Sequence, residues 1–132
     1  MTVRVETEAG VAKVILDNPA QLNALNATMK DQLIDAFQGF AKDDAVRAVI
    51  LTGANKAFCS GSDVTLMGQS DIRGDRRRLH TAHTLIRAMM HLEKPIIAAV
   101  RGPAVGLDTF LELESHVQNQ FLAKRAPKFE GR

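Results

Sequence analysis

Residues 47–63 decide the predicted fold, and they read Arg-Ala-Val-Ile-Leu-Thr-Gly-Ala-Asn-Lys-Ala-Phe-Cys-Ser-Gly-Ser-Asp. The first six residues form a β-type run, and the Gly-Ala-Asn-Lys that follows is a turn signal. The last seven are small or tight, and Gly61 lets the backbone come close to a neighbouring group. Such a turn can direct backbone N–H groups at an oxygen that becomes negative during a reaction, which is the layout of an oxyanion hole. A simple structural turn is the alternative interpretation.

Two strands and a helix are predicted before this stretch. Residues 3–7 and 11–16 read as strands, and Ala9-Gly10 between them indicates a hairpin. Asn26 is a candidate helix cap, and the apolar positions after it follow helical spacing: Met29, Leu33, Ala36, Phe37 and Phe40. The order of strand, helix and strand that ends at residues 47–52 is typical of α/β proteins.

Three further elements are predicted after the turn. Residues 76–91 indicate a second helix, and the side chains expected on its apolar face are Leu79, His83, Ile86 and Met90. Residues 93–95 (Glu-Lys-Pro) break this helix, and the all-apolar residues 96–100 predict a strand buried on both faces. Residues 107–121 read as an amphipathic helix and residues 123–132 as a short basic tail. The predicted fold class is therefore α/β with a C-terminal helix.

The composition predicts one globular domain and argues against several kinds of partner. The 132 residues are 45% hydrophobic and 24% charged, which is ordinary for a soluble protein. Nucleic-acid binders that stack bases need aromatic side chains. This chain has no Trp or Tyr, which argues against that class of protein. A net charge of +2 is too small to indicate a nucleic-acid or membrane partner. No apolar run approaches membrane-spanning length, and a cytoplasmic location is expected.

Cysteine and histidine usage predicts no metal site. Cys59 is the single cysteine, so an internal disulfide and a cysteine metal cluster are both excluded. It is interpreted as a packed thiol, since nothing beside it would activate a nucleophile. His80 and His83 lie about one helical turn apart, but no third ligand accompanies them, which favours a surface pair.

Three blocks of sequence, in this order, resemble the first half of the crotonase family of enoyl-CoA hydratases, isomerases and their relatives. Residues 18–26 read Asn-Pro-Ala-Gln-Leu-Asn-Ala-Leu-Asn, residues 57–63 form the turn, and residues 93–106 read Glu-Lys-Pro-Ile-Ile-Ala-Ala-Val-Arg-Gly-Pro-Ala-Val-Gly. The resemblance implies a crotonase-like ββα spiral core, incomplete here. It divides the chain into residues 1–106, the core with the CoA-binding turn, and residues 107–132, a C-terminal helix and basic tail.

The resemblance implies chemistry on an acyl-CoA thioester whose oxygen is held by two backbone N–H groups. Ser62 matches the first donor, and the second is expected at Gly106 or Leu107. The positions implied in CoA binding are Ala20, Gln21, Leu22, Ser60, Ser62, Asp63, Phe121 and Lys124. Coenzyme A is part of the substrate, so no separate cofactor is implied. The expected assembly is a homo-oligomer, either a trimer or a dimer of trimers.

Individual roles within this set differ. The Ser60 carbonyl would accept from the adenine amino group of CoA, and Asp63 is expected to pin the turn. Phe121 and Lys124 match positions that reach the CoA of a neighbouring subunit, and Lys124 would pair there with a phosphate. A solvated basic tail is the alternative interpretation of that segment.

The sequence departs from the family pattern after Gly106. Leu107-Asp108-Thr109 stand where family members carry further glycines, and Phe110 stands at the position of the first acid/base carboxylate. Glu112 and Glu114 are interpreted as solvent-facing helix residues. Residues 121–132 resemble the extreme C-terminus of the family. A large gap relative to the family is therefore expected at residues 106–107 and a smaller one at residues 120–121.

Three functions stay open from the sequence. The leading one is an enoyl-CoA hydratase or isomerase that stabilises an enolate. The second is a non-catalytic acyl-CoA-binding or oligomer-assembly module, because the expected carboxylates are missing. The third is a subunit-interface fragment without a ligand. The family hosts several reactions on one scaffold, so the fold alone does not choose among them.

Overall fold

The computed structural model describes residues 2–63 and 71–105 of the chain. Within these residues the elements run β1 (Thr2–Glu8), β2 (Val11–Asp17), a short 3-10 helix (Pro19–Gln21), α1 (Ala27–Lys42), β3 (Ala48–Gly53), α2 (Ile72–Met90) and β4 (Ile96–Ala99). The predicted helix at 107–121, the basic tail and the proposed division at residue 106 lie outside the described residues.

The first two strands form the predicted hairpin. β1 and β2 are antiparallel, and Glu8 lies opposite Val11. The two residues between them, Ala9 and Gly10, have φ of 51° and 81°. Positive φ at both central residues is the mark of a type I′ turn, whose twist matches that of the flanking strands. Arg47 also donates a hydrogen bond to the Ala9 carbonyl at 3.1 Å, which ties the turn to the approach to β3.

The sheet is mixed, with the strand order β1-β2-β3-β4. β2 pairs with β3 and β3 with β4 in parallel. Parallel neighbours need a crossover, and α1 and α2 supply the two crossovers. The two helices contact each other, and α1 also contacts β1. This architecture confirms the predicted α/β class.

The hydrophobic core lies between one face of the sheet and the two helices. Its fully buried side chains come from every layer and include Val14, Leu16, Val49, Leu51, Ile96, Met29, Leu33, Phe37, Leu85 and Met89. Burying one such side chain stabilises the fold by about 1.5–3 kcal/mol relative to leaving it exposed. The strand members alternate along β2 and β3, as expected when one face of a sheet is covered.

Helix α1 follows its prediction closely. Asn26 caps its start, because the Asn26 side chain accepts a hydrogen bond from the Met29 N–H at 2.8 Å. The residues on the predicted face, Met29, Leu33, Phe37 and Phe40, are buried. The rings of Phe37 and Phe40 meet edge to face with centroids 5.9 Å apart, a favourable aromatic geometry.

Helix α2 differs from its prediction in both start and orientation. It begins at Ile72 rather than residue 76, because Asp71 caps it by accepting from the Gly74 N–H at 2.8 Å. The expected apolar face is wrong, since Leu79 is 58% exposed and Met90 is 51% exposed. The buried positions are Leu85 and Met89. The sequence of α2 has two apolar faces, and the face that carries Leu85 and Met89 packs against the core.

Strand β4 is buried on one face only. Ile96 is fully buried towards the helices, whereas Ile97 is 50% exposed. The predicted burial on both faces is therefore wrong for the described residues. Both crossover helices lie on the same side of the sheet, so no other described element covers the second face of β4.

Candidate functional site

The chain leaves β3 through a turn that glycines make possible. A Cβ at Gly53 would collide with the carbonyl oxygens of Ala57 and Phe58, so only glycine lets the chain fold back over the end of the strand. A Cβ at Gly102 would collide with the Lys56 carbonyl, and Gly102 has φ of 72°. The turn is thus packed closely against the strand before it and against the third sequence block.

The third sequence block pairs with residues 58–59. The N–H groups of Phe58 and Cys59 point at the Pro103 carbonyl at 3.2 and 3.1 Å. The Val105 N–H donates to the Cys59 carbonyl at 3.2 Å. This short parallel bridge places blocks that are distant in sequence side by side. Cys59 is fully buried within it, which confirms the interpretation as a packed thiol.

The first sequence block pairs with the other end of the turn. The Leu25 N–H donates to the Gly61 carbonyl at 2.8 Å, and the Asp63 N–H donates to the Leu25 carbonyl at 3.0 Å. In a parallel bridge one residue bonds to the two neighbours of the residue opposite it, so the N–H of Ser62 points away from Leu25. No described residue accepts a hydrogen bond from the Ser62 N–H. Among the described residues, this donor is therefore not used in the bridge.

The loop predicted to run along CoA lies against the same turn. The Ser60 hydroxyl donates to the Gln21 carbonyl at 2.7 Å. Leu22, which ends the 3-10 helix, has φ of 50° and is 52% exposed, and Ala20 is exposed beside it. The structure thus brings Gln21 into contact with Ser60, and the same loop continues to Leu25, which pairs with Ser62. Residues Pro19–Gln21 of this loop form a 3-10 helix, which was not predicted from the sequence.

Ser62 opens onto a cleft of about 440 Å³ between the turn and the two helices. Its lining combines an apolar part with a charged part and consists of Lys30, Ser62, Asp63, Asp75, Arg78, Leu79 and Ala82. Asp75 and Arg78 approach each other to 3.8 Å. Leu79 and Ala82 offer apolar surface within the same cleft as the donor. A ligand with a polar carbonyl and a short apolar chain fits this combination.

Sequence reasoning missed two features of this site. Lys30 is only 8% exposed and lines the cleft, although its place in α1 carries no signal beyond helical spacing. Asn18 and Asn23 are buried polar side chains inside the first block. Asparagines in an otherwise apolar and turn-rich stretch are the signal that could have found them, because a buried amide needs partners.

Four predicted site residues lie outside the described residues: Gly106, Leu107, Phe121 and Lys124. Asp63 lies at the end of the turn, and its backbone N–H helps to hold the bridge to Leu25. The described chain reaches Val105, which lies next to Cys59, so the third block lies against the turn.

His80 and His83 are both exposed on α2, which agrees with the predicted surface pair. Among residues 2–63 and 71–105, no three metal-binding side chains of His, Cys, Asp or Glu come together. No helix in the same residues is long and apolar enough to cross a membrane.

The fold and the turn define an α/β protein in which the turn ends beside Leu25 and Ser62 lines a cleft. The sequence profile described as Enoyl-CoA hydratase/isomerase matches residues 6–114. The chain belongs to this family, which confirms the crotonase resemblance.

Individual relatives agree with this assignment. The chain is 35% identical over 116 residues to a probable enoyl-CoA hydratase of Rhodobacter capsulatus, covering 88% of the chain and 44% of the relative. It is 34% identical over 128 residues to the 1,2-epoxyphenylacetyl-CoA isomerase of Escherichia coli K12, covering 92% and 47%. The crystal structure of an enoyl-CoA hydratase from Bacillus anthracis superposes with a TM-score of 0.80 at 30% identity, covering 85% and 44%. The chain spans about half the length of the curated relatives it matches.

Proposed function

We propose that this chain binds acyl-CoA thioesters and that the Ser62 N–H polarises the thioester carbonyl in an enoyl-CoA hydratase or isomerase type of reaction. One observation carries the proposal. The bridge between Leu25 and Ser62 turns this N–H away from Leu25, and Ser62 lines a cleft that holds both apolar and charged side chains. The names of the relatives support acyl-CoA as the substrate class.

The chemistry depends on where charge develops. When water adds to an enoyl thioester, or a proton leaves the α-carbon, an enolate forms and negative charge gathers on the thioester oxygen. A fixed N–H donor stabilises that oxygen more strongly in the transition state than in the ground state. Loss of one such donor costs about 10²–10³ in kcat in a well-studied protease. The second donor of this proposal is the N–H at Gly106 or Leu107.

The proposed placement of substrate follows the clustered residues. The nucleotide and pantetheine run along Ala20, Gln21 and Leu22, with the Ser60 carbonyl facing the adenine. The acyl chain lies against Leu79 and Ala82, which share the cleft with Ser62. Coenzyme A enters as part of the substrate, and no further cofactor is proposed. A homotrimer or a dimer of trimers, with Phe121 and Lys124 reaching a neighbouring CoA, and a cytoplasmic location complete this proposal.

A second candidate is an acyl-CoA-binding or assembly module without turnover. The sequence after Gly106 favours it, because Phe110 stands where the family pattern has a carboxylate. Hydration needs a group that activates water and one that delivers a proton. Among the described residues, the carboxylates that line the Ser62 cleft are Asp63 and Asp75, and Asp75 already approaches Arg78.

Proline at position 62 tests the proposal, because it removes the N–H and leaves the chain connected. We expect the wild-type chain to remove the conjugated absorbance of crotonyl-CoA and Ser62→Pro to be at least about 100-fold slower than Ser62→Ala, which keeps the N–H. Equal rates for the two variants would contradict the role of this donor.

Thermal unfolding separates the two candidates. Crotonyl-CoA should raise the Tm of the wild-type chain, because a ligand that binds only the folded state stabilises it. A raised Tm without turnover would establish the binding module, and absence of both effects would end both candidates.

A further inference from the structure

Asn23 is buried between two segments and uses its side chain to join them. Its side-chain amide donates to the Ala54 carbonyl at 2.8 Å and to the Ala57 carbonyl at 2.9 Å. Its side-chain oxygen accepts from the Asn18 N–H at 2.9 Å. Asn23 is 1% exposed, so these bonds replace those that water would make.

The backbone around Asn23 is held in an uncommon conformation. Leu22 and Asn23 both have φ in the left-handed region, at 50° and 62°. Two consecutive non-glycine residues in this region are unfavourable by themselves, although asparagine tolerates it better than most residues. The Asn23 N–H bonds the Asn18 carbonyl at 2.8 Å, and the Asn18 side chain donates to the Ala24 carbonyl at 2.9 Å. The surrounding bonds therefore stabilise a loop that its local preferences oppose.

The two acceptors of Asn23 lie at the start of the turn that ends at Ser62. Beyond Ala57 the turn is held by Cys59 against the third block and by Gly61 against Leu25. Asn23 is close in sequence to Leu25, which forms the bridge at the other end of the turn. The loop of residues 23–25 therefore forms hydrogen bonds to both the beginning and the end of the turn.

We propose that Asn23 is a positioning residue, whose two side-chain hydrogen bonds fix the turn so that the Ser62 N–H meets a thioester oxygen. It acts through the backbone of Ala54 and Ala57 and does not touch substrate. This inference rests on the proposed function of Ser62. It adds a residue outside the turn on which the strength of carbonyl polarisation depends.

The test measures polarisation in the bound substrate. Asn23→Asp keeps the shape and the acceptor oxygen but removes both donors, and Asn23→Gly removes the whole side chain while permitting positive φ. Asn55→Asp is the matched control, because Asn55 also has positive φ, at 65°, and is exposed on the same turn. Butyryl-CoA, which has no double bond to hydrate, is labelled with ¹³C at the carbonyl and bound to each full-length protein. The carbonyl stretching frequency is then read by difference infrared spectroscopy.

The frequency of bound ligand reports only on folded, occupied protein, so lost stability lowers the amplitude without moving the band. We expect wild type and Asn55→Asp to lower the carbonyl frequency equally relative to free butyryl-CoA. In Asn23→Asp and Asn23→Gly the frequency should return at least half of the way to the free value. Alternatively, these two variants should lose binding of butyryl-CoA at a temperature where proton NMR shows them folded. An unchanged wild-type shift in both Asn23 variants would overturn the positioning role alone. An unshifted band in wild type would overturn the proposed function of Ser62 and this inference with it.

Discussion

The two α-helices in the part of the chain that the structure describes have similar lengths and opposite environments. α1 runs over Ala27–Lys42 and buries five side chains, including Leu33 and Phe37. α2 runs over Ile72–Met90 and buries only Leu85 and Met89. Its N-terminal half instead borders the Ser62 cleft through Asp75, Arg78 and Leu79.

This difference shows that one helix completes the core while the other shapes the site. α1 is held along its whole length, so changes in it act on global stability. α2 is anchored near its C-terminal end, so changes in its first turns should act on ligand binding and local order. Four pairs of variants test that division.

The largest contrast is expected between a core residue of α1 and a cleft residue of α2. Phe37→Ala should lower the free energy of unfolding by about 3–5 kcal/mol, because it leaves a cavity in the core. Leu79→Ala should change it by less than about 0.5 kcal/mol, since this side chain is exposed. Urea unfolding followed by circular dichroism measures both. A large loss for Leu79→Ala would break the comparison.

Two glycines give the next contrast. Gly53→Ala should cost about 1–3 kcal/mol, because its methyl group meets the backbone of residues 57 and 58. Gly39→Ala in α1 should add about 1 kcal/mol, because alanine favours a helix and nothing lies within 4 Å of the new methyl group. Thermal unfolding of both variants shows whether each substitution lowers or raises the Tm. Stabilisation by Gly53→Ala would show that the turn is loosely packed.

Loss of the cap of α1 should lower global stability, whereas loss of the cap of α2 should act locally. Asn26→Ala should cost about 1 kcal/mol of global stability, because α1 forms part of the core. Asp71→Ala removes an equivalent bond to the Gly74 N–H but should mainly fray the first turn of α2. Amide hydrogen exchange separates the two effects residue by residue. Equal global losses would mean that α2 is held as firmly as α1.

The smallest effect concerns binding. Leu79→Ala should raise the Kd for butyryl-CoA, which is not hydrated, about threefold, which corresponds to about 0.7 kcal/mol, through partial loss of apolar contact. Met90→Ala is the matched control, because Met90 is similarly exposed on α2 but does not line the cleft. Isothermal titration calorimetry compares them. Equal Kd values for both variants would remove Leu79 from the proposed acyl site.

Local sequence signals predicted most of the described fold. The hairpin followed from alternation around Ala9-Gly10, and α1 followed from its cap and apolar spacing. The buried face of α2 could not be predicted, because tertiary contact chose Leu85 and Met89 from a helix with two apolar faces. Likewise, β4 was predicted to be buried on both faces. Only one face is buried, because both crossover helices cover the same side of the sheet.

The site was predicted through resemblance rather than through periodicity. The three blocks identified the turn, and the structure confirms that they lie together. The bonds that join them, such as those from Asn23 to Ala54 and Ala57, connect positions about thirty residues apart. No local pattern encodes such partners. The catalytic and CoA-binding roles of Ser62, Ser60 and the Ala20–Leu22 loop stay predictions.

The central claim is that the protein recognises the thioester oxygen, and a comparison of two ligands tests it most directly. Isothermal titration calorimetry would measure the Kd of butyryl-CoA, which has no double bond to hydrate, and of its butyl thioether analogue, in which a methylene group replaces the carbonyl. The account predicts at least about tenfold tighter binding of the thioester, equivalent to about 1.4 kcal/mol, because only its oxygen accepts from the Ser62 N–H. Equal affinity for the two ligands would contradict the account.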